Sequence, residues 1–176
     1  METAGFPALS LIPLVPLLGA GVLGALGSRL PRAAVNAVAL GAVGVAFAIT
    51  VWAALTLAGA EAPGGLEATP WTWMEVGRYT VELGFRFDVL SAALLLVVTG
   101  VGALIHLYST EYMHDDPGYA RFFAYLNLFV GMMSILVLGA NLPVVFIGWE
   151  GVGLASYLLI GFWFGDTEKA AAGKKA

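Results

Sequence analysis

One acidic residue, Glu150, lies inside an apolar segment that is long enough to cross a bilayer. The segment extends from about residue 143 to residue 164 and contains no other charged side chain. An ionised carboxylate in hydrocarbon costs about 2.5–3.5 kcal/mol on insertion scales, so such residues usually pair with another group or mark an ion or proton path. We therefore predict that Glu150 is a proton relay or one half of an ion pair. The alternative is a structural carboxylate that is hydrogen-bonded between helices.

The two histidines of the chain are the other groups that could move protons, because imidazole changes its charge near neutral pH. His106 lies near one end of an apolar segment and is a candidate relay between water and a path in the membrane. The alternative is an interfacial histidine that a neighbouring group satisfies. His114 stands with Asp115 and Asp116 in a polar stretch, which a solvated turn before Pro117 explains fully. We predict no metal site and no cofactor-binding site in this chain.

The composition is that of an integral membrane protein. The 176 residues are 60% hydrophobic and only 11% charged, with a mean hydropathy of +0.88, whereas soluble domains carry about 25% charged residues. The absence of cysteine excludes disulfides, thiolate metal ligands and iron–sulfur ligation within these residues. No basic patch points to nucleic acid.

The fold class that follows is an all-α membrane protein, a polytopic bundle of about five transmembrane helices. A span needs about 20 apolar residues. Five segments meet this requirement, at about residues 8–27, 33–58, 88–108, 122–138 and 143–164. Small residues let helices approach closely in lipid, so the glycines that flank Glu150 predict tight packing: Gly148, Gly151, Gly153 and Gly161. Three polar residues within the spans are predicted to hydrogen-bond between helices, with support of a hydrated path as the alternative: Asn127, Thr99 and Ser156.

The longest loop, residues 59–87, predicts a short β-hairpin on the outer surface. Apolar and polar residues alternate from Tyr79 to Phe87, which is the period of a half-buried strand. Residues 71–76 alternate less cleanly and form the expected partner strand, with Gly77 and Arg78 in the turn. Asp88 then stands at the position of an N-cap for the third span. Near the end of the chain, Asp166 and the alanines that follow predict the start of another helix.

Basic residues indicate how the helices cross the membrane. If the spans alternate in direction, six of the eight cations fall on one side: Arg29, Arg32, Arg121, Lys169, Lys174 and Lys175. The other side carries only Arg78 and Arg86, both in the long loop. Cytoplasmic loops are enriched in lysine and arginine. We therefore expect the N-terminus outside and the C-terminal tail in the cytoplasm.

Several motifs, taken together, resemble a known family. They occupy residues 87–91, 97–108, 111–113, 116–119, 121–129, 148–153 and 156–163, and the sixth reads Gly-Trp-Glu-Gly-Val-Gly. In this order and spacing they resemble subunit L (chain 5) of bacterial proton-translocating NADH–quinone oxidoreductase, respiratory complex I. The resemblance divides the chain into an N-terminal helix pair with the start of the outer loop (1–66), a chain 5 N-terminal region (67–121) and a truncated antiporter-like domain (122–176).

The resemblance implies a larger subunit of two inverted repeats of five helices, of which this chain would be an N-terminal fragment. Glu150 matches the family's intramembrane glutamate on helix five, whose lysine partner on helix seven would lie beyond Ala176. The family's role is proton translocation coupled to electron transfer from NADH to quinone, so the chain would be an enzyme subunit without a redox centre of its own. NADH, flavin, iron–sulfur clusters and quinone are expected in partner subunits.

The expected partners are other membrane subunits of complex I, and the expected location is the bacterial plasma membrane. Two alternatives remain open. The chain could be part of a multisubunit sodium/proton antiporter, which shares the glutamate and transfers no electrons. It could also be an inactive structural fragment that only packs beside other subunits.

Overall fold

The computed structural model describes residues 3–59 and 64–175, apart from the side chains of Val76 and Tyr79. Five helices in it are long and apolar enough to span a membrane. They are α1 (Leu11–Leu26), α2 (Arg32–Gly59), α3 (Val89–Tyr112), α4 (Tyr119–Leu138) and α5 (Leu142–Ile160). Short 3₁₀ turns flank α1, so the first span covers Pro7–Arg29. The prediction of five membrane helices is confirmed, and the chain is a multi-pass membrane protein.

The ends of the helices differ from the predicted spans by a few residues. Helix α3 continues to Tyr112 and α4 already begins at Tyr119, because polar residues at a membrane surface extend a helix beyond its apolar part. Helix α5 stops at Ile160, where Gly161 closes the last turn through its N–H on the Tyr157 carbonyl at 3.0 Å. The predicted fifth span therefore ended four residues too late.

The predicted helix after the fifth span is also present, as α6 (Thr167–Lys175). The carboxylate of Asp166 accepts the Glu168 N–H at 3.0 Å, and this bond caps the first turn. Glycine allows the helix to lie close to the end of α5. A methyl group on Gly173 would come within 3.0 Å of the Gly161 Cα.

Helix α4 is the centre of the bundle. It packs along both α1 and α5, while α2 packs against α1 and α3. Small residues make the close crossings possible, since a methyl group on Gly131 would meet Leu17 of α1 at 2.7 Å. Lipid offers apolar side chains no gain from clustering, so this close van der Waals packing holds membrane helices together.

The outer loop forms the predicted hairpin and adds one strand to it. Strands β2 (Leu66–Val76) and β3 (Tyr79–Phe87) are antiparallel, and Gly77 turns between them with a φ of 63°. Strand β1 (Ala4–Gly5) pairs in parallel with the start of β2, which the sequence did not indicate. Two residues carry no detectable period, so this strand arises only from the contact with β2.

The hairpin holds the turn between α4 and α5. The Ala140 N–H donates to the Gly84 carbonyl at 3.0 Å, and the Asn141 amide donates to the Glu82 carbonyl at 2.7 Å. The Asn141 side-chain oxygen also accepts the Val144 N–H at 3.1 Å, as the N-cap of α5. Asn141 therefore links the start of α5 to the outer sheet and fixes the residue at which the helix begins.

Candidate functional site

Glu150 lies close to the middle of α5. It stands eight residues after Leu142 and ten before Ile160. At a rise of about 1.5 Å per residue, these intervals place it roughly 12 Å and 15 Å from the two ends of the helix. The hydrocarbon core of a bilayer is about 30 Å thick. In a helix of this length that crosses such a layer, Glu150 stands close to half-way between the two surfaces.

One face of α5 packs tightly on α4 through glycine. A methyl group on Gly148 would overlap the backbone nitrogen of Leu136, and one on Gly151 would overlap the Met132 sulfur. Both glycines are buried, as predicted for residues that allow close packing. The prediction was wrong for Gly153, which has no atom within 4 Å of an added methyl group because it lies on the opposite face.

Glu150 lies on the face of α5 that no other described helix covers. Its side chain is exposed, as are Trp149 at 67% and Phe146 at 62%. Within residues 3–59 and 64–175, Glu150 takes part in no ion pair and no side-chain hydrogen bond. The glycine face fixes the rotation of α5, and this rotation directs the carboxyl group away from the five helices.

His106 occupies the opposite kind of environment, in the interior between α3 and α4. Only 1% of it is exposed. Its Nδ1 lies 2.8 Å from the Gly102 carbonyl oxygen, which can only accept, so Nδ1 carries the hydrogen. Its Nε2 then accepts from the Asn127 amide nitrogen at 3.3 Å. Both ring nitrogens of His106 are therefore bound by groups of α3 and α4.

Asn127 joins the two helices, as predicted. Its amide nitrogen also donates to the Phe123 carbonyl at 3.0 Å. Its oxygen is buried and has no hydrogen-bond partner among the described residues, and it packs against Gly19 of α1. The prediction for Thr99 was wrong, because its hydroxyl donates to the Leu95 carbonyl of its own helix at 2.6 Å.

The structure does not bring the two candidate relays together. The hydrogen bonds of His106 and Asn127 end on α3 and α4. Glu150 stands on the open face of α5, so no hydrogen-bond path joins it to His106 within the described part of the chain. The sequence could not reveal this separation, since both residues simply fall inside apolar helices.

The polar groups at the helix ends have structural partners. The Asp88 carboxylate accepts both the N–H and the hydroxyl of Ser91 at 2.9 Å, which confirms the predicted N-cap of α3. The Ser91 N–H lowers the pKa of this carboxyl below its ordinary value. His114 accepts from Arg32 at 3.2 Å and contacts Asp115 at 3.0 Å.

Both carboxylate oxygens of Asp116 also accept hydrogen bonds from neighbouring groups. Its two oxygens accept the Gly118 N–H at 2.7 Å and the Trp163 indole N–H at 2.9 Å. The second bond ties the loop before α4 to the segment after α5. This connection was not visible in the sequence, because 47 positions separate the two residues.

The five apolar helices, with one acid within the fifth, define a multi-pass integral membrane protein. Comparison with known proteins narrows the class. Residues 73–123 match the family described as NADH-ubiquinone oxidoreductase (complex I), chain 5 N-terminus, and residues 139–176 match the family described as NADH:quinone oxidoreductase/Mrp antiporter, TM. The second match contains α5 and Glu150.

Individual relatives agree with these matches. The chain is 42% identical to NADH-quinone oxidoreductase subunit L of Escherichia coli K12 over 168 residues, which are 96% of this chain and 27% of the relative. The corresponding protein of Mycobacterium tuberculosis H37Rv is 42% identical over 170 residues, 94% of this chain and 26% of the relative. NADH-ubiquinone oxidoreductase chain 5 of Metridium senile is 39% identical over 168 residues, with 94% and 27% covered.

The chain belongs to the family of subunit L (chain 5) of NADH–quinone oxidoreductase. It spans about a quarter of the length of the curated relatives it matches, 27% for the Escherichia coli protein.

Proposed function

We propose that this chain forms part of an antiporter-like membrane subunit that translocates protons in NADH–quinone oxidoreductase, with Glu150 as the proton-carrying group. The observation that carries the proposal is the position of Glu150, at mid-depth of α5 and on the face that the other described helices leave open. A carboxyl group at that depth is costly, and it needs a partner outside these helices.

The carboxyl group can take up and release a proton as its surroundings change. A cation within about 4–6 Å favours the charged carboxylate, and withdrawal of that cation favours the protonated form. A lysine from the remainder of the subunit, as the family resemblance implies, would supply this cation. The close contacts of Gly148 and Gly151 with α4 hold the helix in the rotation that presents Glu150 to such a partner.

We propose a second, smaller role for His106. Its Nδ1 and Nε2 are engaged by Gly102 and Asn127, so His106 can accept another proton only if the Asn127 amide releases Nε2 or turns its oxygen toward it. The Asn127 oxygen is buried, has no hydrogen-bond partner within residues 3–59 and 64–175, and could accept that bond after such a turn. Proton transfer through His106 therefore depends on the movement of one neighbouring amide.

The remaining assignments follow from the same proposal. The chain itself carries no redox centre, and NADH, flavin, iron–sulfur clusters and quinone act in partner subunits. Its neighbours are other membrane subunits of the complex, in a bacterial plasma membrane. Six cations lie near the ends of the spans on one side, which supports a cytoplasmic tail and an external N-terminus: Arg29, Arg32, Arg121, Lys169, Lys174 and Lys175.

A subunit of a sodium/proton antiporter is the second candidate. The family description matched by residues 139–176 names respiratory and antiporter proteins together, and that region holds Glu150. The respiratory reading has the additional support of residues 73–123, whose match is described as complex I chain 5, and of relatives named as subunit L.

The test is Glu150→Gln in the full-length subunit within the intact complex. Proton uptake by inverted membrane vesicles is followed with a pH-sensitive dye while NADH oxidation is recorded in the same sample. We expect proton uptake per NADH to fall several-fold. Glu111→Gln is the matched control, because Glu111 is an exposed acid at the end of α3 and its replacement should leave pumping unchanged.

Unchanged proton uptake in Glu150→Gln would remove the relay role and leave Glu150 as a structural group. A vesicle that takes up protons in response to a sodium gradient, without NADH, would instead favour the antiporter candidate.

A further inference from the structure

A cleft lies where the end of α5 meets α6 and the first turns of α4. The crossing of Gly161 and Gly173 brings α5 and α6 together and leaves a space of about 210 Å³ beside it. A single water needs about 10–15 Å³ on the same measure, so the cleft can hold a much larger group. Its lining residues include Arg121, Tyr125, Tyr157, Leu158 and Lys174.

The charged groups of this cleft are all positive. Arg121 and Lys174 line it together with the phenols of Tyr125 and Tyr157, and no carboxylate is among its lining residues. The two ion pairs found in the described part of the chain, Lys169 with Asp166 and His114 with Asp115, involve neither cation. The acid close to Arg121 is Asp116, since a methyl group on Gly118 would meet both its Oδ1 at 3.1 Å and the Arg121 Nη2 at 3.0 Å. Its two oxygens already accept the Gly118 and Trp163 N–H groups, and it does not line the cleft, so the cleft itself keeps an excess of positive charge that suits an anion.

Arg121 is held in place but has unused hydrogen-bond donors. Its guanidinium lies 4.8 Å from the Phe162 ring centre and 4.9 Å from that of Phe164, so two aromatic rings fix its plane. Its Nη2 donates to the Phe162 carbonyl at 3.4 Å, a long bond. Its Nε is buried and has no partner among the described residues. The donor that a ligand in the cleft can reach is Nη1, which is not among the buried unpaired atoms and makes no hydrogen bond found in the described part of the chain. A planar guanidinium that offers such a donor is suited to a phosphate group.

The depth of the cleft indicates where that phosphate would come from. Helix α5 ends here, and exposed Trp163 and Phe164 follow directly, as is typical of the aromatic belt at a membrane surface. Leu158 adds an apolar wall on the membrane side. Basic pockets between helices at this level bind the head groups of anionic lipids.

We propose that this cleft binds the phosphate of an anionic phospholipid. Arg121 and Lys174 supply the positive charge, the Tyr125 and Tyr157 hydroxyls donate to the remaining phosphate oxygens, and the acyl chains leave the cleft past the apolar side chain of Leu158. Because α6 provides Lys174, a bound lipid links α4, α5 and α6 at the basic end of the bundle. This role is independent of proton transfer through Glu150.

The test is a lipid titration of the 176-residue chain in zwitterionic detergent, read by native mass spectrometry. Phosphatidylglycerol is compared with phosphatidylcholine, and inorganic phosphate is added in a separate arm. We expect phosphatidylglycerol to bind more tightly, and Arg121→Gln with Lys174→Gln to weaken its binding about tenfold or more, which corresponds to about 1.4 kcal/mol. Inorganic phosphate should not displace the lipid.

The control is Arg29→Gln with Lys175→Gln, which removes the same charge from two exposed positions outside the cleft. This variant should bind phosphatidylglycerol as the parent does. Equal weakening in both double variants, or equal binding of the two lipids, would overturn the site. Displacement by inorganic phosphate would overturn the assignment to lipid.

Lys174→Gln and Lys175→Gln are also compared singly, because both lysines are exposed and neither change disturbs the packing of Arg121 on its two rings. Only Lys174→Gln should weaken binding. A similar loss in both single variants would contradict the proposal even if the Arg121 variant failed to fold.

Discussion

The two faces of α5 differ in packing: one is buried against α4, and the other is exposed and carries Glu150. One face presents Gly148 and Gly151 to α4 at the closest approach in this part of the bundle, and it is complete within the described residues. The other face presents Glu150 among exposed aromatic side chains, and no group in the described part of the chain forms an ion pair or a side-chain hydrogen bond with it. The packed face holds the helix in position, and the open face carries the group that can do chemistry.

Comparison with His106 shows that polarity within a membrane helix does not by itself indicate function. His106 is buried and both of its nitrogens have partners, so it is stable where it stands. Glu150 also lies inside an apolar helix, but its carboxyl group has no hydrogen-bond or ion-pair partner among the described residues. The difference lies in the neighbouring helices and in the rotation of each helix about its axis.

The largest effect is expected at the packed face, from Gly148→Ala. The added methyl group overlaps backbone of α4, which cannot turn away as a side chain can, so the two helices must separate. Overpacking typically costs about 1–3 kcal/mol and sometimes more, and we expect a loss of about 3 kcal/mol. Thermal unfolding in detergent measures it. Gly153→Ala on the open face is the control and should leave the Tm unchanged or raise it slightly, because alanine favours the helix and the added methyl group meets no other atom. Equal losses in the two variants would show that α5 has no packed face.

Asn127→Leu is expected to have the next largest effect. The substitution keeps the branching and the number of heavy atoms of the side chain and removes the donor that His106 Nε2 accepts from. Hydrogen bonds between membrane helices are worth about 0.6 kcal/mol on average and up to about 1.7, so we expect a loss of about 1–2 kcal/mol. Ser134→Ala is the control, because its hydroxyl bonds only the Val130 carbonyl of its own helix. A loss in Ser134→Ala as large as that in Asn127→Leu would argue against a specific link between α3 and α4.

Asp88→Ala removes the N-cap of α3 and should cost about 1 kcal/mol at neutral pH. The folded pKa of Asp88 lies below its unfolded value, so the cap is at full strength above the unfolded value of about 3.9 and is lost as the pH falls through the folded pKa. The unfolding temperatures of parent and Asp88→Ala should therefore converge in acid. Asp88→Asn retains a capping oxygen that does not titrate in this range. The difference in unfolding temperature between Asp88→Asn and Asp88→Ala should therefore persist in acid. A difference that stays constant down to pH 2 would contradict the assignment.

The smallest effect on stability is expected for Glu150→Gln. The side chain is exposed and takes part in no hydrogen bond or ion pair among the described residues, so the Tm of the chain in detergent should change by less than about 2 °C. The same substitution is expected to reduce pumping several-fold in the complete complex. A large loss of stability would mean that the open face also stabilises the folded chain. That result would contradict the proposed difference between the two faces of α5.

The sequence determined the features that depend on local composition. Five apolar segments of sufficient length predict five spans, the alternation before Phe87 predicts a strand, and Asp88 is recognisable as a cap because its bond is made three residues away. The order of the motifs around Glu150 identified the family. Each of these signals is contained in a short stretch of chain, and no contact between distant residues is needed to read it.

Only the tertiary structure decided which groups meet. The glycines around Glu150 look alike in the sequence, but helix packing buries Gly148 and leaves Gly153 open. Asn141 ties α5 to a strand 59 residues away, and Arg121 acquires its two aromatic neighbours from beyond α5. These contacts depend on the rotation and crossing of whole helices, which the packing of many side chains sets together. That rotation leaves Glu150 facing outward, away from the five helices.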